Sequence, residues 1–557
     1  NASGNTIVLF YHSGQVYAVD NRCPHMGFPL ERGTVKDGIL TCHWHHARFD
    51  LVSGGTFDLF ADDVRSFPVE IRGDDVWVDV SPRADARAQQ RHRLKDGLER
   101  NIPLVIAKSV IALTDSDTTA GEPFRIGLDF GVRYRQAGWG QGLTILTCMM
   151  KLLPRLAMED RSRALYHGLS AVARDCDSAP PRFTVNPLPG STTDPSTLKR
   201  WFRQFVEVRE AEGAERCIVS AVRNGMAPQR IADMLFTAAT DHRYLQTGHV
   251  LDFTNKALQA LDIAGWEPER AEAVLASLCN AYANAERMEE SNAWRNPVDL
   301  ISILQHAYER LPDCLAQGVK QANHPWTGRE ALVTTLHGED PQAIADALLA
   351  ALALGAPPEQ VAGCVTYAAA LRIARFHTSN EFGDWDTALH TFTFANAVQI
   401  GLQRSASVDL MRGVFDAAMS VYLDRFLNVP PARLPAPNGP MSPEPLLTEL
   451  PALLNRQQQV DQAGEMVASY LYCGGDPQKL LALLGKLLLR EDRDFHTLQT
   501  MEAAFQQYEL LRGRPHAVHV LVAAARYLAA HAPTMRAQGQ TFQIAMRLSR
   551  GEKLFEG

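Results

Sequence analysis

Arg22-Cys23-Pro24-His25-Met26-Gly27 and Cys42-His43-Trp44-His45-His46-Ala47-Arg48-Phe49-Asp50-Leu51 are the stretches from which this chain is read. They give C-x-H, a gap of 16 residues, then C-x-x-H. Two thiolates and two imidazoles, each loop carrying one of each, suit a 2Fe–2S cluster in which one iron takes both cysteines and the other both histidines. Neutral histidine ligands remove negative charge and raise the potential above that of an all-cysteine cluster. A Cys2His2 zinc site uses the same ligand types and stays the alternative. Zinc fingers, however, place two cysteines on one knuckle and two histidines elsewhere, whereas each loop here mixes the two.

Outward from these loops, residues 1–82 alternate apolar and polar over short runs. Ile7–Tyr11, Val16–Val19, Gly38–Thr41 and Val76–Val80 are strand-like, separated by Ser13-Gly14, Asp37-Gly38, Gly54-Gly55 and Gly73-Asp74. This predicts a small all-β domain. The chain opens on Asn1 within strand-like sequence, which implies that further residues, and with them any targeting segment, precede it.

Residues 5–80 resemble a Rieske 2Fe–2S domain, on the strength of the two loops and of Ser53-Gly54-Gly55 after them. The resemblance implies that Cys23 and Cys42 bind one iron and His25 and His45 the other. His43 and His46 are not ligands in that register; they stand where the family usually has Pro and Gly. High-potential members add an inter-loop disulfide and hydrogen-bond the cluster through Ser and Tyr. Phe28, Ala47 and Phe49 occupy the corresponding positions here, with no extra cysteine nearby. The resemblance therefore implies the lower-potential kind, an intracellular electron relay.

Residues 83–141 read as a basic linker (Arg83, Arg87, Arg91, Arg93, Lys95, Arg100) and a mixed connecting segment. From 142 to 557, Ala and Leu dominate and apolar residues recur at helical spacing, as in Ile231, Leu235, Ala238 and Ala239. Pro-rich breaks fall at 180–189 and 430–445. The expected fold is multidomain: the small all-β domain, then a large all-α domain built from divergent helical repeats. Three related units are expected, at about 212–312, 340–455 and 465–533. Their anchors are Pro228, Pro358 and Pro477, each after a Gly-containing break and suited to a first helical turn. A second block follows each anchor: His249 to Asn255, His390 to Asn396, and His496 to Glu502. The middle copy carries an insertion around Asn380–Asp386.

The net charge of −8, from 55 basic and 63 acidic residues, argues against a nucleic-acid partner. The apolar run Ala347–Pro358 is too short to span a membrane. Nine cysteines without a CxxC pair argue against a disulfide framework and point to a reducing, cytoplasmic setting.

Rieske oxygenases share only the first domain with this chain. Their carboxylate-x-x-His-x4-His segment is missing from this sequence, and an all-helical region does not match their catalytic fold. The helical units instead offer their own ligand candidates: His242 and His249, seven apart and two turns along one helical face, with Asp252 on the same side; His377, Glu381 and His390; and His496 with Glu502. Weaker candidates are His324, His337, His516 and His519. A single histidine in an Ala-rich helix is more commonly a packing or surface residue. The spread of histidines over three units faintly resembles the questin oxidase-like helical proteins.

The resulting expectation is an iron-dependent oxidoreductase, an oxygenase. Electrons from a ferredoxin or reductase would pass through the Rieske cluster to a non-heme iron held by histidines of the helical domain. His249, His390 and Glu381 would be catalytic, and His242, His377 and His496 further ligands. The substrates would be a small organic molecule and oxygen, and oligomerisation is compatible with the composition. The alternative is a Rieske electron carrier or redox sensor whose helical repeat is a metal-free protein-binding scaffold.

Overall fold

A computed structural model of the chain describes residues 6–81, 86–114, 120–189, 194–321, 325–378, 380–437, 442–552 and 554. Its first part is all-β. Strands β1 (Ile7–His12), β2 (Gln15–Asp20) and β6 (Ser66–Phe67) form one antiparallel sheet in the order β1-β2-β6. Strands β3 (Thr34–Lys36), β4 (Ile39–Thr41) and β5 (Arg48–Asp50) form a second, and β7 (Val69–Arg72) and β8 (Asp75–Val78) pair as a hairpin. The pairing His12↔Gln15 leaves a two-residue turn, Ser13 and Gly14, both at positive φ (50° and 82°). That is the turn whose twist matches paired strands. A compact core of Val19, Leu30, Leu40, Ala47, Phe49 and Leu51 closes beneath the two cysteine loops.

Among the described residues, every regular element after the β domain is a helix, and the helices begin earlier than the sequence pattern indicates. Helices Ala86–Glu99, Pro103–Thr114 and Gly121–Tyr134 occupy most of the stretch expected as linker and mixed connector. The first is polar except for Leu94 and Leu98, which are fully buried at i, i+4 spacing. The second is apolar on nearly every side because it is buried on nearly every side, which erases helical periodicity.

These two helices clamp the β domain. Lys108 Nζ donates to the Pro24 carbonyl and pairs with Asp62 at 2.9 Å. Arg93 donates to Asp62 at 2.9 Å and to the Ala61 carbonyl at 2.6 Å. Burial works to raise the Asp62 pKa, but Lys108 and Arg93 outweigh it and hold the carboxyl below its ordinary value.

Pro228, Pro358 and Pro477 each open a helix (Pro228–Ala239, Pro358–Ala374, Pro477–Leu489), where a missing N–H costs nothing. Helix Phe382–Arg404 lies between helices His249–Ala264 and Phe495–Leu510 and packs against both. No described helix is long and apolar enough to cross a membrane. All nine cysteines are free; Cys314 and Cys473 are half-buried and the other seven buried.

Candidate metal centres

The two cysteine loops are tight turns closed by backbone hydrogen bonds. Cys23 N donates to Phe28 O at 2.8 Å, and Cys42 N to Ala47 O at 2.8 Å. His46 completes the second turn at φ 60°, a conformation histidine tolerates better than most residues. Both cysteines are buried, while His45 is exposed and its ring centroid lies 4.8 Å from that of half-buried His25. His43 points elsewhere, its Nε2 3.2 Å from Thr34 Oγ1.

Each pair of side chains has the character of a ligand pair. A hydrogen bond between the two thiols raises the Cys23 pKa and lowers that of Cys42 to about 6, favouring one thiolate. Burial, then the neighbouring His45, lowers His25 to about 4, so its imidazole is neutral at physiological pH. His25 Nδ1 is buried without a hydrogen-bond partner. A buried nitrogen left unpaired is costly unless something binds it.

A second candidate centre lies in the helical part. His390 Nε2 is 3.1 Å from His249 Nε2 and 3.1 Å from His496 Nε2. One nitrogen of each ring lies within 4.8 Å of the others, and this is the one such cluster of His, Cys, Asp or Glu found among the described residues. His249 is the first residue of its helix, His496 the second of its own, and His390 the ninth residue of the helix between them.

Local sequence explains the convergence. Tyr244, Gln246 and Thr247 have left-handed φ, and Gly248 follows at φ 91°. A Cβ at Gly248 would lie 2.8 Å from Phe394 Cβ, so only glycine lets the start of the His249 helix approach the His390 helix so closely. Asp494 caps the third helix, its carboxylate accepting from Thr497 N at 2.7 Å.

The environment keeps the His249 and His390 rings neutral. Burial, then the other two imidazoles, lowers His249 to about 3. Burial and His496 lower His390 to about 4, against the opposing pull of Asp386. His249 also sits at a helix N-terminus, where the helix dipole disfavours positive charge.

Asp386 is the residue that sequence reading missed. Its carboxylate lies 3.8 Å from His496 Nδ1, and its backbone carbonyl accepts a hydrogen bond from the His390 ring one turn on. The hydroxyl of fully buried Tyr527 donates to the same carboxylate at 2.8 Å. Asp386 thus reaches the outward sides of two rings whose Nε2 atoms face inward. The four-residue spacing from His390 was the available signal.

The remaining candidates are placed apart from this cluster. His242 is not on one helical face with His249, because the left-handed residues between them break the helix. It sits between Glu207 and Glu289, 2.6 Å from each. His377 lies in the loop before helix Phe382–Arg404. Glu381 is exposed and caps that helix, in a reciprocal box with Asp384. Asp252 and Glu502 lie deeper: Gln499 donates to Asp252, and Lys256 pairs with Glu502. His337 bonds the Val333 carbonyl, His519 bonds Tyr367 and His516 packs on it; His324 lies outside the described residues.

A cavity of about 460 Å³ opens beside the triad, with His390 in its wall. Most of the lining is apolar, from Trp294, Met288, Pro297 and Leu423 among others, while Thr391, Ser420 and Asp424 supply a polar strip. This is the size and character of a small-molecule site.

Comparison with known proteins bears on the first domain only. Residues 1–68 match the Rieske [2Fe-2S] domain family. The human apoptosis-inducing factor 3 is 33% identical over 79 residues, 14% of this chain and 13% of that protein's length. The ferredoxin component of the p-cumate 2,3-dioxygenase system of Pseudomonas putida is 31% identical over 80 residues, 14% of this chain and 68% of its own. The 3-phenylpropionate/cinnamic acid dioxygenase ferredoxin subunit of Photorhabdus laumondii is 32% identical over 77 residues, covering 14% and 73%. No solved structure matches the chain. The β domain is therefore a 2Fe–2S electron-transfer domain, and through it the chain belongs to the Rieske [2Fe-2S] family.

Proposed function

We propose that this chain is an iron-dependent oxygenase. Electrons enter at the Rieske cluster and are used at a non-heme iron held by His249, His390 and His496. The observation that carries this reading is the meeting of three imidazole nitrogens from three separate helices, beside a mostly apolar cavity.

Cys23 and Cys42 hold one iron of the cluster and His25 and His45 the other. The hydrogen-bonded thiols and the orphaned, buried His25 Nδ1 fit that role. Trp44, Phe57, Leu59 and Phe60 are exposed apolar side chains of the β domain. Phe60 packs on the His25 ring and Trp44 on that of His45, so an electron donor, a ferredoxin or reductase, meets apolar surface beside the ligand histidines. A bound iron with three imidazole ligands and open positions supplies dioxygen activation when electrons arrive one at a time. The protein residues do the rest. Asp386 holds His496 and His390 with Nε2 turned inward, Tyr527 holds Asp386, and the mostly apolar cavity wall offers a substrate a surface beside His390.

The relatives that are ferredoxin components of dioxygenase systems support a relay role for the first domain. In this reading the terminal centre is carried on the same chain. The test is oxygen uptake by chemically reduced protein. The wild type is expected to consume oxygen, while His390→Ala keeps the cluster's electron paramagnetic signal and loses the uptake. Uptake unchanged in His390→Ala would overturn the proposal.

A further inference from the structure

The cavity beside the triad is lined by a carboxyl with one unpartnered oxygen. Asp424 is 5% exposed and lines the cavity, and its Oδ2 has no hydrogen-bond partner. Its other interactions are few. It faces the Thr391 hydroxyl, and the nearest charge is the Arg372 guanidinium. Two of its nitrogens are engaged elsewhere: Arg372 Nε donates to Val421 O at 3.2 Å and Nη1 to Asn428 Oδ1 at 3.1 Å, while Nη2, like Asp424 Oδ2, is buried without a partner. Across the strip, the buried Tyr244 hydroxyl faces Thr391 and Ser420. A buried carboxyl oxygen without a partner costs stability unless a ligand satisfies it.

Its position is as informative as its solitude. Thr391 directly follows His390, so a group bound at Asp424 is held next to the ring that faces the triad. The rest of the wall offers apolar surface: Trp294 and Tyr244, with ring centroids 6.1 Å apart, Met288, Pro297 and Leu423. Phe426 stands 67% exposed, with the Arg425 guanidinium 4.1 Å from its ring centroid.

We infer that Asp424 is the specificity-determining anchor of this cavity, and that the ligand is an apolar small molecule carrying a hydroxyl group. The hydroxyl donates to Asp424 Oδ2, and the carbon that bears it faces His390. Burial raises the Asp424 pKa to about 7, so the carboxyl can donate as well as accept near neutrality, which a hydroxyl can answer in either sense. Most of the remaining lining area is apolar, which suits a ligand carrying a single polar group. The inference names the substrate class for the oxygenase reading and rests on it for the ligand's relation to the iron.

The anchor itself is testable without turnover or iron. Equilibrium dialysis on the full chain, with and without added Fe(II), would compare 1-naphthol, which can donate, with 1-methoxynaphthalene, which cannot. About tenfold tighter binding of 1-naphthol is expected, the scale of one buried hydrogen bond. Asp424→Leu should abolish that preference and leave 1-methoxynaphthalene within about twofold, the lost bond being the only change intended. Asp424→Asn, whose side-chain oxygen still accepts, should keep most of it. Equal binding of the two probes, binding of neither, or a preference that survives in Asp424→Leu would overturn the inference. Because the readout is metal-independent, a failed iron site would leave this result standing, and the reverse.

Discussion

His390 Nε2 and His249 Nε2 lie 3.1 Å apart, although 141 residues separate them in the chain. Two neutral imidazoles so placed can share only one proton between their facing nitrogens, and His496 brings a third nitrogen to the same point. A metal ion is the simplest occupant that satisfies all three lone pairs at once.

Asp386 is expected to govern how well that point binds metal. Outer partners of ligating histidines typically contribute 10–100-fold in affinity. Asp386→Asn should weaken Co(II) binding, followed by its visible absorption, by about that factor. Asp386→Glu should recover part of the loss, and Tyr527→Phe should give a smaller one.

Gly248 controls the approach of two helices. Gly248→Ala places a methyl group 2.8 Å from Phe394 Cβ at φ 91°. A destabilisation of about 1–3 kcal/mol is expected from the strained conformation and crowding. Denaturant unfolding checks the stability, and Co(II) titration should show a loss of affinity as His249 is displaced.

Asp252 gives the helical part a pH dependence of known sign. Burial, then Glu502, raises its pKa from 3.8 to about 7, against Lys256 and the Gln499 hydrogen bond. The stability of the protonated form is present in full below the unfolded value and is lost as pH rises through about 7. Asp252→Asn, which cannot ionise, should therefore gain melting temperature relative to wild type between pH 5 and pH 8. A constant difference across that range would show that Asp252 does not titrate there.

The seam between the two parts depends on Asp62. Lys108→Met removes one of its two cationic partners and the donor to the Pro24 carbonyl. A loss of about 1–3 kcal/mol is expected, because half-buried Asp62 is left with only Arg93. Limited proteolysis should then cut first between the β domain and the helices.

The sequence and the structure differ where burial hides pattern. The cluster loops were legible because their chemistry lies within a few residues of each cysteine. The helical class was legible from periodicity, and the anchoring prolines from their place after Gly-containing breaks. Helix Pro103–Thr114 was not, since seven of its twelve residues are buried and an all-apolar run has no face. Among the histidines, repeat position favoured 249 and 390, while His496, in the loosest copy, ranked behind His242 and His377; the structure brings 249, 390 and 496 together. The pairing of His242 with His249 failed because spacing along a helix has no meaning across Gly248 and the left-handed turn before it. Tyr527 went unseen because it reaches Asp386 across 141 residues, and Asp386 because its carboxylate meets His496 only through the tertiary fold.

Metal content per chain, on anaerobically purified protein and on the His249→Ala/His390→Ala double variant, tests the second centre most directly. The three-histidine site requires iron above two per chain in the wild type, falling to two in the variant while the Rieske signal persists. Two irons per chain in both proteins would contradict it and leave the helical part as a metal-free scaffold.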